Sequence, residues 1–258
     1  IEPDFIAATF DLPAPTFRHK EFKEYKAGRP KAPEEFYQQI PITKKILSAF
    51  SIPIFEKEGF EADDLIATIV KKAPQKQIYP RLESYVLTGD LDTLQLVNNL
   101  TKVYTLGKGV KETVIYDKEK IIERFGLLPE QLVDFKALAG DPSDNIPGVS
   151  GIGRKTATEL LKNFGSLEIL YQKIEKENIK DLKPRIKKML VQNKEQAFFS
   201  QLLAKARQDV PIDFDIKECQ FGKFDREKIE KTLKDLEFYS LLKRIPKKEE
   251  NISTGKLF

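Results

Sequence analysis

Eight acidic residues stand where they could do chemistry together. Asp11 follows the apolar run 5–10. Glu61, Asp63 and Asp64 come shortly after the apolar run 52–55. Asp90 and Asp92 follow the run 84–88, and Asp141 and Asp144 lie in Gly140-Asp-Pro-Ser-Asp-Asn-Ile-Pro147. In an open α/β sheet the loops past the carboxyl ends of the strands share one edge, so groups distant in sequence can meet there. Crowded carboxylates repel, which raises their pKa values or drives them apart. Divalent cations relieve that repulsion. Oxygen donors without a Cys/His cluster suit Mg²⁺ or Mn²⁺ and argue against zinc. Each group also has an ordinary explanation, since acids opening a helix complement its dipole and Asp shapes turns. Their joint recurrence after predicted strands favours a metal site.

A second motif suits phosphate. Ile146-Pro-Gly148-Val-Ser-Gly151-Ile-Gly153-Arg-Lys155-Thr156-Ala leads into a helix. Glycines permit tight turns and close backbone approach, and amides at a helix start attract anions. Gly148 and Gly153 have the spacing of a nucleotide phosphate loop. That loop requires Lys directly after the second Gly, however, and Arg154 stands there instead, with no buried strand before the motif. A helix–hairpin–helix fits better, a device whose backbone amides hold strand phosphates irrespective of sequence. Gly148, Gly151, Gly153, Lys155 and Thr156 are the candidate DNA contacts.

The elements that must position these groups begin with apolar runs at 5–10, 52–55, 84–88 and 102–106, all predicted strands. Gly107-Lys108-Gly109 is a predicted turn into a hairpin strand at 112–116. Helical spacing covers 34–50, with Pro41 expected to kink or split it, and 61–73, with Leu65, Ile66, Ile69 and Val70 inward. Strands alternating with helices predict an α/β domain with a mostly parallel sheet. Beyond Lys118 the strand signal stops, and helical patterns occupy 131–139, 155–164, 185–191, 195–207 and 226–242. The expected division is 1–128 for the metal-binding domain, 129–245 for a helical DNA-binding lobe and 246–258 for the start of a linker. The linker expectation rests on the charged residues Lys247-Lys-Glu-Glu250 after Pro246.

Hydrophobic residues at 40% and charged residues at 33% describe a globular chain, which excludes a disordered one. No apolar run approaches the roughly 18 residues of a membrane span. A single cysteine, Cys219, has no internal disulfide partner and fits a reducing cytoplasm. The net charge of +4 is unevenly spread. Residues 18–31 carry six Lys/Arg against two Glu, and residues 154–188 carry ten against five acids. Basic flanks around acidic groups suit an enzyme that holds a polyanion against metal ions. The chain opens on Ile1 and runs directly into an apolar segment, as a fragment of a longer protein would.

These residues resemble the flap endonuclease and 5′-exonuclease superfamily. The matches are Thr9-Phe-Asp11, Phe17-Arg-His19, Glu24-Tyr-Lys-Ala-Gly-Arg-Pro30 and Gly59-Phe-Glu-Ala-Asp-Asp64. They continue with Thr88-Gly-Asp-Leu-Asp-Thr-Leu-Gln-Leu-Val97, Lys136-Ala-Leu-Ala-Gly-Asp-Pro-Ser-Asp-Asn-Ile-Pro-Gly148, Gly151-Ile-Gly-Arg-Lys-Thr-Ala157 and Phe164-Gly-Ser-Leu167. The likeness runs in order up to Leu236-Glu-Phe-Tyr-Ser-Leu-Leu-Lys-Arg244. It implies a PIN-like nuclease fold followed by a helix–three-turn–helix lobe. By it Asp11, Glu61, Asp63, Asp64, Asp90, Asp92, Asp141 and Asp144 are metal ligands, and Lys26 and Arg29 belong to a basic arch over the site. It also implies a potassium ion at the hairpin, a further Asp-bearing strand ahead of Ile1, and a less irregular link than residues 74–80 supply.

The mechanism this implies is two-metal hydrolysis of DNA phosphodiesters, at a 5′ end or 5′ flap, by a monomer with no membrane partner. Glu61, Asp63 and Asp64, with Asp11 nearby, would centre on one ion, and Asp90, Asp92, Asp141 and Asp144 on the other. Lys26 and Arg29 would be catalytic, offsetting charge at the scissile phosphate. Arg18 and Tyr25 would touch DNA, and Phe17, Phe22 and Tyr25 could stack on unpaired bases or simply pack in the arch. His19 suits a structural or phosphate contact better than a general base. A polymerase domain would follow in the parent protein. Two other readings are a DNA-binding module without catalysis and a PIN-type RNA nuclease, against which the hairpin counts.

Overall fold

The computed structural model describes residues 2–74, 81–106, 113–176 and 182–245. The predicted turn at Gly107–Gly109, the 75–80 part of the irregular link and the expected linker at 246–258 lie outside them. In chain order the elements are β1 (Ala8–Thr9), α1 (Phe17–Glu21), α2 (Glu34–Ala49), β2 (Ile54–Phe55), α3 (Ala62–Lys72) and β3 (Ser84–Leu87). A 3₁₀ turn (Leu91–Leu96) leads to β4 (Thr101–Leu106), β5 (Thr113–Tyr116), α4 (Lys118–Phe125) and α5 (Leu132–Ala139). Then come α6 (Arg154–Phe164), α7 (Leu167–Glu175), α8 (Pro184–Gln192), α9 (Lys194–Ala204), α10 (Arg226–Asp235) and α11 (Tyr239–Leu242). The chain forms two compact units, one of Ile1–Leu12, Lys31–Lys57 and Pro211–Phe258, the other of Pro13–Pro30 and Glu58–Val210.

In the first unit β1 and β2 pair in parallel, Ala8 opposite Ile54 and Thr9 opposite Phe55. Helix α2 continues through Pro41, so the proline does not split it. Its first half is open to solvent, with Phe36 and Tyr37 exposed, so water can satisfy the carbonyl that proline leaves without a donor. Its last turn supplies Ala49 and Phe50 to a core with Ile229 and Leu233 of α10. The single helix expected over 226–242 is two. Glu237 takes a left-handed φ of 59°, and Glu237 N and Phe238 N donate back to the carbonyls of Lys234 and Leu233, which closes α10. Glutamate at a position that usually takes glycine hides this stop from the sequence.

In the second unit β3 pairs in parallel with β4, which pairs antiparallel with β5. The expected mixed α/β structure is therefore present; among the described residues its strands form small sheets in which β1–β2 and β3–β4 are parallel and β4–β5 is antiparallel. Val86, Val103, Leu94 and Tyr116 bury the inner face together with Ile121 of α4. Helix α4, which helical spacing did not reveal, is capped by Asp117 accepting from Lys120 N and ended by Gly126. The helical lobe buries Ala137, Leu138, Ala157, Leu161, Leu170, Leu190 and Ala197 around one core. Within it α5 packs on both α6 and α9. Helix α9 stops at Ala204 rather than at 207, because Lys205 turns extended. Among the described residues no helix is long and apolar enough to cross a membrane.

One close approach governs the turn after α5. Gly140 and Gly148 both have positive φ, and a Cβ on Gly148 would lie 2.2 Å from Gly140 N and 2.6 Å from its Cα. Only glycine fits. Gly148→Ala is expected to cost about 3 kcal/mol or more, combining left-handed strain with a backbone clash that no side chain can relieve. Urea unfolding checks this, with Gly153→Ala, whose Cβ would meet nothing within 4 Å, as the mild control.

Candidate active site

Helix α1 is short, and its first turn is held by His19, whose Nδ1 accepts from Thr16 N at 3.2 Å. That turn points Arg18 inward, where it is 3% exposed. Its Nη1 and Nη2 donate to the two oxygens of Asp64 at 2.8 Å each. Its Nε donates to Leu203 O at 2.8 Å, Nη2 also to Lys205 O at 2.9 Å, and Nη1 also to Glu61 at 3.4 Å. All five N–H groups of the guanidinium are thus used inside the protein.

Asp64, with no exposed surface, is equally committed. Besides Arg18 it accepts from Glu61 N at 3.0 Å and Arg207 N at 2.8 Å. A carboxylate has about four lone-pair positions, and here four donors fill them. Asp64 therefore anchors the first turn of α3 through these four donors. Burial alone would lower the Arg18 pKa, but its bonds and charge contact with Asp64 raise it above the ordinary arginine value.

One cavity is lined by Glu61, Asp63, Asp90, Asp92 and Asp144, with Tyr25 and Lys26 beside them. Asp90 also caps the 3₁₀ turn, accepting from Asp92 N at 2.9 Å. Lys26, in a left-handed conformation with φ 56°, donates its amide to Asp144 O and its Nζ to Glu61 Oε1 at 3.0 Å. Arg29 pairs with Asp144 Oδ1 and donates to Ser143 O at 3.3 Å. Lys136, on the last turn of α5, reaches Asp92 and, at 2.6 Å, Asp141. Asp141 thereby joins the group although it does not line the cavity. Asp11 lies past β1, in the first unit, and is exposed.

These cations correct the expectation that divalent ions alone make the crowd tolerable. Burial would raise Asp141, yet Lys136 and Ser143 together hold it below the usual carboxylate range. Burial and the neighbouring Asp90 and Asp141 raise Asp92 despite Lys136. Asp63 differs from all of them. Among the described residues no side chain pairs with it, and burial, Asp90 and Glu61 push its carboxyl up to about 7. Among those residues, too, no group of three or more Asp, Glu, His or Cys has the geometry to hold a metal ion as placed. The donor chemistry nonetheless fits a hard cation, because a buried acid among acids is the environment that such an ion relieves.

Tyr25 is 3% exposed, and its hydroxyl lies 3.2 Å from Glu61 Oε2 and 3.2 Å from Asp144 Oδ2. Burial, then Glu61, raises its pKa. It joins two acids and cannot stack on a base. Phe17 packs near Phe60, and Phe22 packs edge-on to Phe199, so the arch aromatics are structural as well. The hairpin keeps its expected surface. Gly151, Gly153 and Lys155 are exposed, Thr156 is partly so, and Gly148 is buried.

The description "5′-3′ exonuclease, N-terminal resolvase-like domain" matches residues 1–126, and "5′-3′ exonuclease, C-terminal SAM fold" matches residues 127–227. The chain belongs to the 5′–3′ exonuclease family. It is 40% identical over 244 residues to DNA polymerase I of Bacillus subtilis, covering 95% of this chain and 27% of that protein. It is 39% identical over 243 residues to DNA polymerase I of Mycobacterium tuberculosis, covering 94% of this chain and 26% of that protein. The chain thus spans about a quarter of the length of these relatives. A flap endonuclease of bacteriophage T5, in complex with DNA and metal ions, superimposes with a TM-score of 0.62 at 21% identity, covering 89% of this chain and 82% of that one. The catalytic core of Rad2 with DNA substrate gives 0.57 at 20% identity, covering 93% and 79%. The exonuclease-family fold is the shared feature.

Two contributors to the site carry no motif of their own: Lys136, and the carbonyls of Leu203 and Lys205 at the end of α9. The place of Lys136 five residues before Asp141, one turn from the acid loop, is the available signal. No pattern marks a backbone carbonyl as the acceptor of a distant arginine. Because Arg18 and Asp64 are both sealed from water, Arg18→Met should cost about 3–5 kcal/mol by stranding a buried carboxylate. Removing both charges, with Arg18→Met and Asp64→Leu together, should recover much of that loss in urea unfolding.

Proposed function

We propose that this chain hydrolyses DNA phosphodiester bonds at 5′ ends or 5′ flaps with two divalent ions, Mg²⁺ or Mn²⁺. Water attacks phosphorus, the 3′ oxygen leaves, and the product carries a 5′-phosphate. The observation that carries the reading is Asp63, which no side chain among the described residues pairs and which shares a cavity with four other acids. When bound, the divalent ions would lower the pKa of a water and stabilise the leaving oxygen. Asp63, Glu61, Asp90 and Asp144 are the residues to hold them, with Asp92 and Asp141 steadied by Lys136. Lys26 and Arg29 already touch Glu61 and Asp144, and from there they can turn to the scissile phosphate and offset its charge. The exposed amides of 151–153 and Lys155 would hold the duplex phosphates, with a potassium ion at the hairpin as a further candidate.

Support comes from the solved T5 flap endonuclease, which holds DNA and metal ions, and from T5 5′-exonuclease with divalent zinc. The relatives are DNA polymerases I, and we propose that this chain works as the exonuclease part of such a longer protein. Residues 1–128 would act as the nuclease domain and 129–245 as the DNA-binding lobe, close to where the two family descriptions meet.

A 5′-labelled flap with Mg²⁺ should be cut, and EDTA should abolish the cut. Retained duplex binding with no cleavage by the unsubstituted chain would instead indicate a binding module, and preference for RNA a ribonuclease. Asp90→Ala should reduce cleavage to background while leaving duplex binding in Ca²⁺ largely intact; parallel loss of both would count against a metal role. Lys155→Ala should weaken binding alike on all sequences and reduce the salt slope by about 1.

A further inference from the structure

We infer that Gln196 and Ser200 of α9 are positioning residues that fix where the strand is cut, by locking the hairpin that grips the duplex to the loop that carries Asp141 and Asp144. The inference rests on the proposed nuclease function. Gly148 is the joint between the two parts. Before it, the acid loop is closed by Asp141 N donating to Ile146 O at 2.8 Å and Ile146 N to Asp141 O at 2.9 Å. After it, Val149 N donates to Leu138 O at 2.9 Å and the hairpin turn begins.

The Gly148 peptide groups find their partners on side chains of α9. Its N–H donates to Ser200 Oγ at 3.1 Å, and its carbonyl accepts from Gln196 Nε2 at 2.6 Å. Residues four apart share one face of a helix, so a single face of α9 holds the joint from both ends. The same helix continues to the anchor of α3, since Leu203 O and Lys205 O accept from Arg18 and Arg207 N donates to Asp64. Helix α9 and the residues that directly follow it therefore link the joint to the α3 anchor, with about 12 Å of helix from Gln196 to Ala204. Satisfying buried polar groups alone would also place hydrogen bonds here, but it would not make the position of the cut depend on them.

The experiment uses the full chain with Gln196→Leu and, separately, Ser200→Ala, which removes one hydroxyl from a site with no exposed surface. Circular dichroism and the melting temperature establish folding. Cleavage of a flap labelled at each end in turn is mapped to the nucleotide, and duplex affinity is measured in Ca²⁺. Products spread over neighbouring positions, with Kd raised about fivefold for the loss of one hydrogen bond, are expected from each folded variant. Unshifted products at unchanged Kd, with only a lower melting temperature, would overturn the inference and leave the nuclease function standing. If Gln196→Leu does not fold, Ser200→Ala alone decides. If the unsubstituted chain cuts no flap, the proposed function fails first and the inference with it.

Discussion

The bond between Arg18 and Asp64 is the constraint on which the site depends. Both groups are shut away from water, where an unpaired charge would be costly, and each saturates the other together with backbone partners. Arg18 comes from α1, Asp64 from the first turn of α3, and the accepting carbonyls from the end of α9. Three segments separated by up to 187 residues in sequence are thereby held at one point. With Asp64 fixed, its neighbour Asp63 must turn to the other side of the helix start. There burial, Asp90 and Glu61 raise its pKa, and the nearby Lys26 offsets them only in part. Two adjacent aspartates thus have opposite roles, one sealed as an anchor and one presented to a cavity.

The rest of the cavity is a problem of like charge solved from within. Lys26 contacts Glu61 and Asp144, Arg29 contacts Asp144, and Lys136 contacts Asp92 and Asp141. Tyr25 adds a neutral bridge between Glu61 and Asp144. Such an arrangement keeps the acids together before any ion arrives, because the cations are tethered and lose little freedom in staying. It also means that an incoming divalent ion competes with lysine and arginine for carboxylate oxygens.

Much of this was legible in the sequence, and what was not has identifiable causes. The acids were found because runs such as 84–88 end directly at them, and strand β3 does run from Ser84 to Leu87 before Asp90. The hairpin was legible from its glycines, whose left-handed conformations at Gly148 and Gly151 are what that residue type exists to supply. Burial was not legible. Arg18, Tyr25 and Phe22 sit in a basic, aromatic stretch that reads equally well as a DNA-facing surface or a packed one, and packing prevailed. Boundaries failed where atypical residues made them. Glu237 closes α10 without glycine, and Pro41 passes inside α2 because its surroundings are solvent. The 5–10 run shrank to Ala8–Thr9, since only those residues find a ladder partner in β2.

The central claim is that the cavity framed by Asp63, Glu61, Asp90 and Asp144 is built to receive a divalent cation. Anomalous diffraction from a crystal of this chain soaked in Mn²⁺ tests it most directly. The account predicts a peak inside that cavity, about 2.1 Å from an oxygen of Asp63, with Lys26 or Lys136 moved off its carboxylate. Manganese found only on exposed surface acids, with the lysine pairs intact and the cavity free of density, would contradict it.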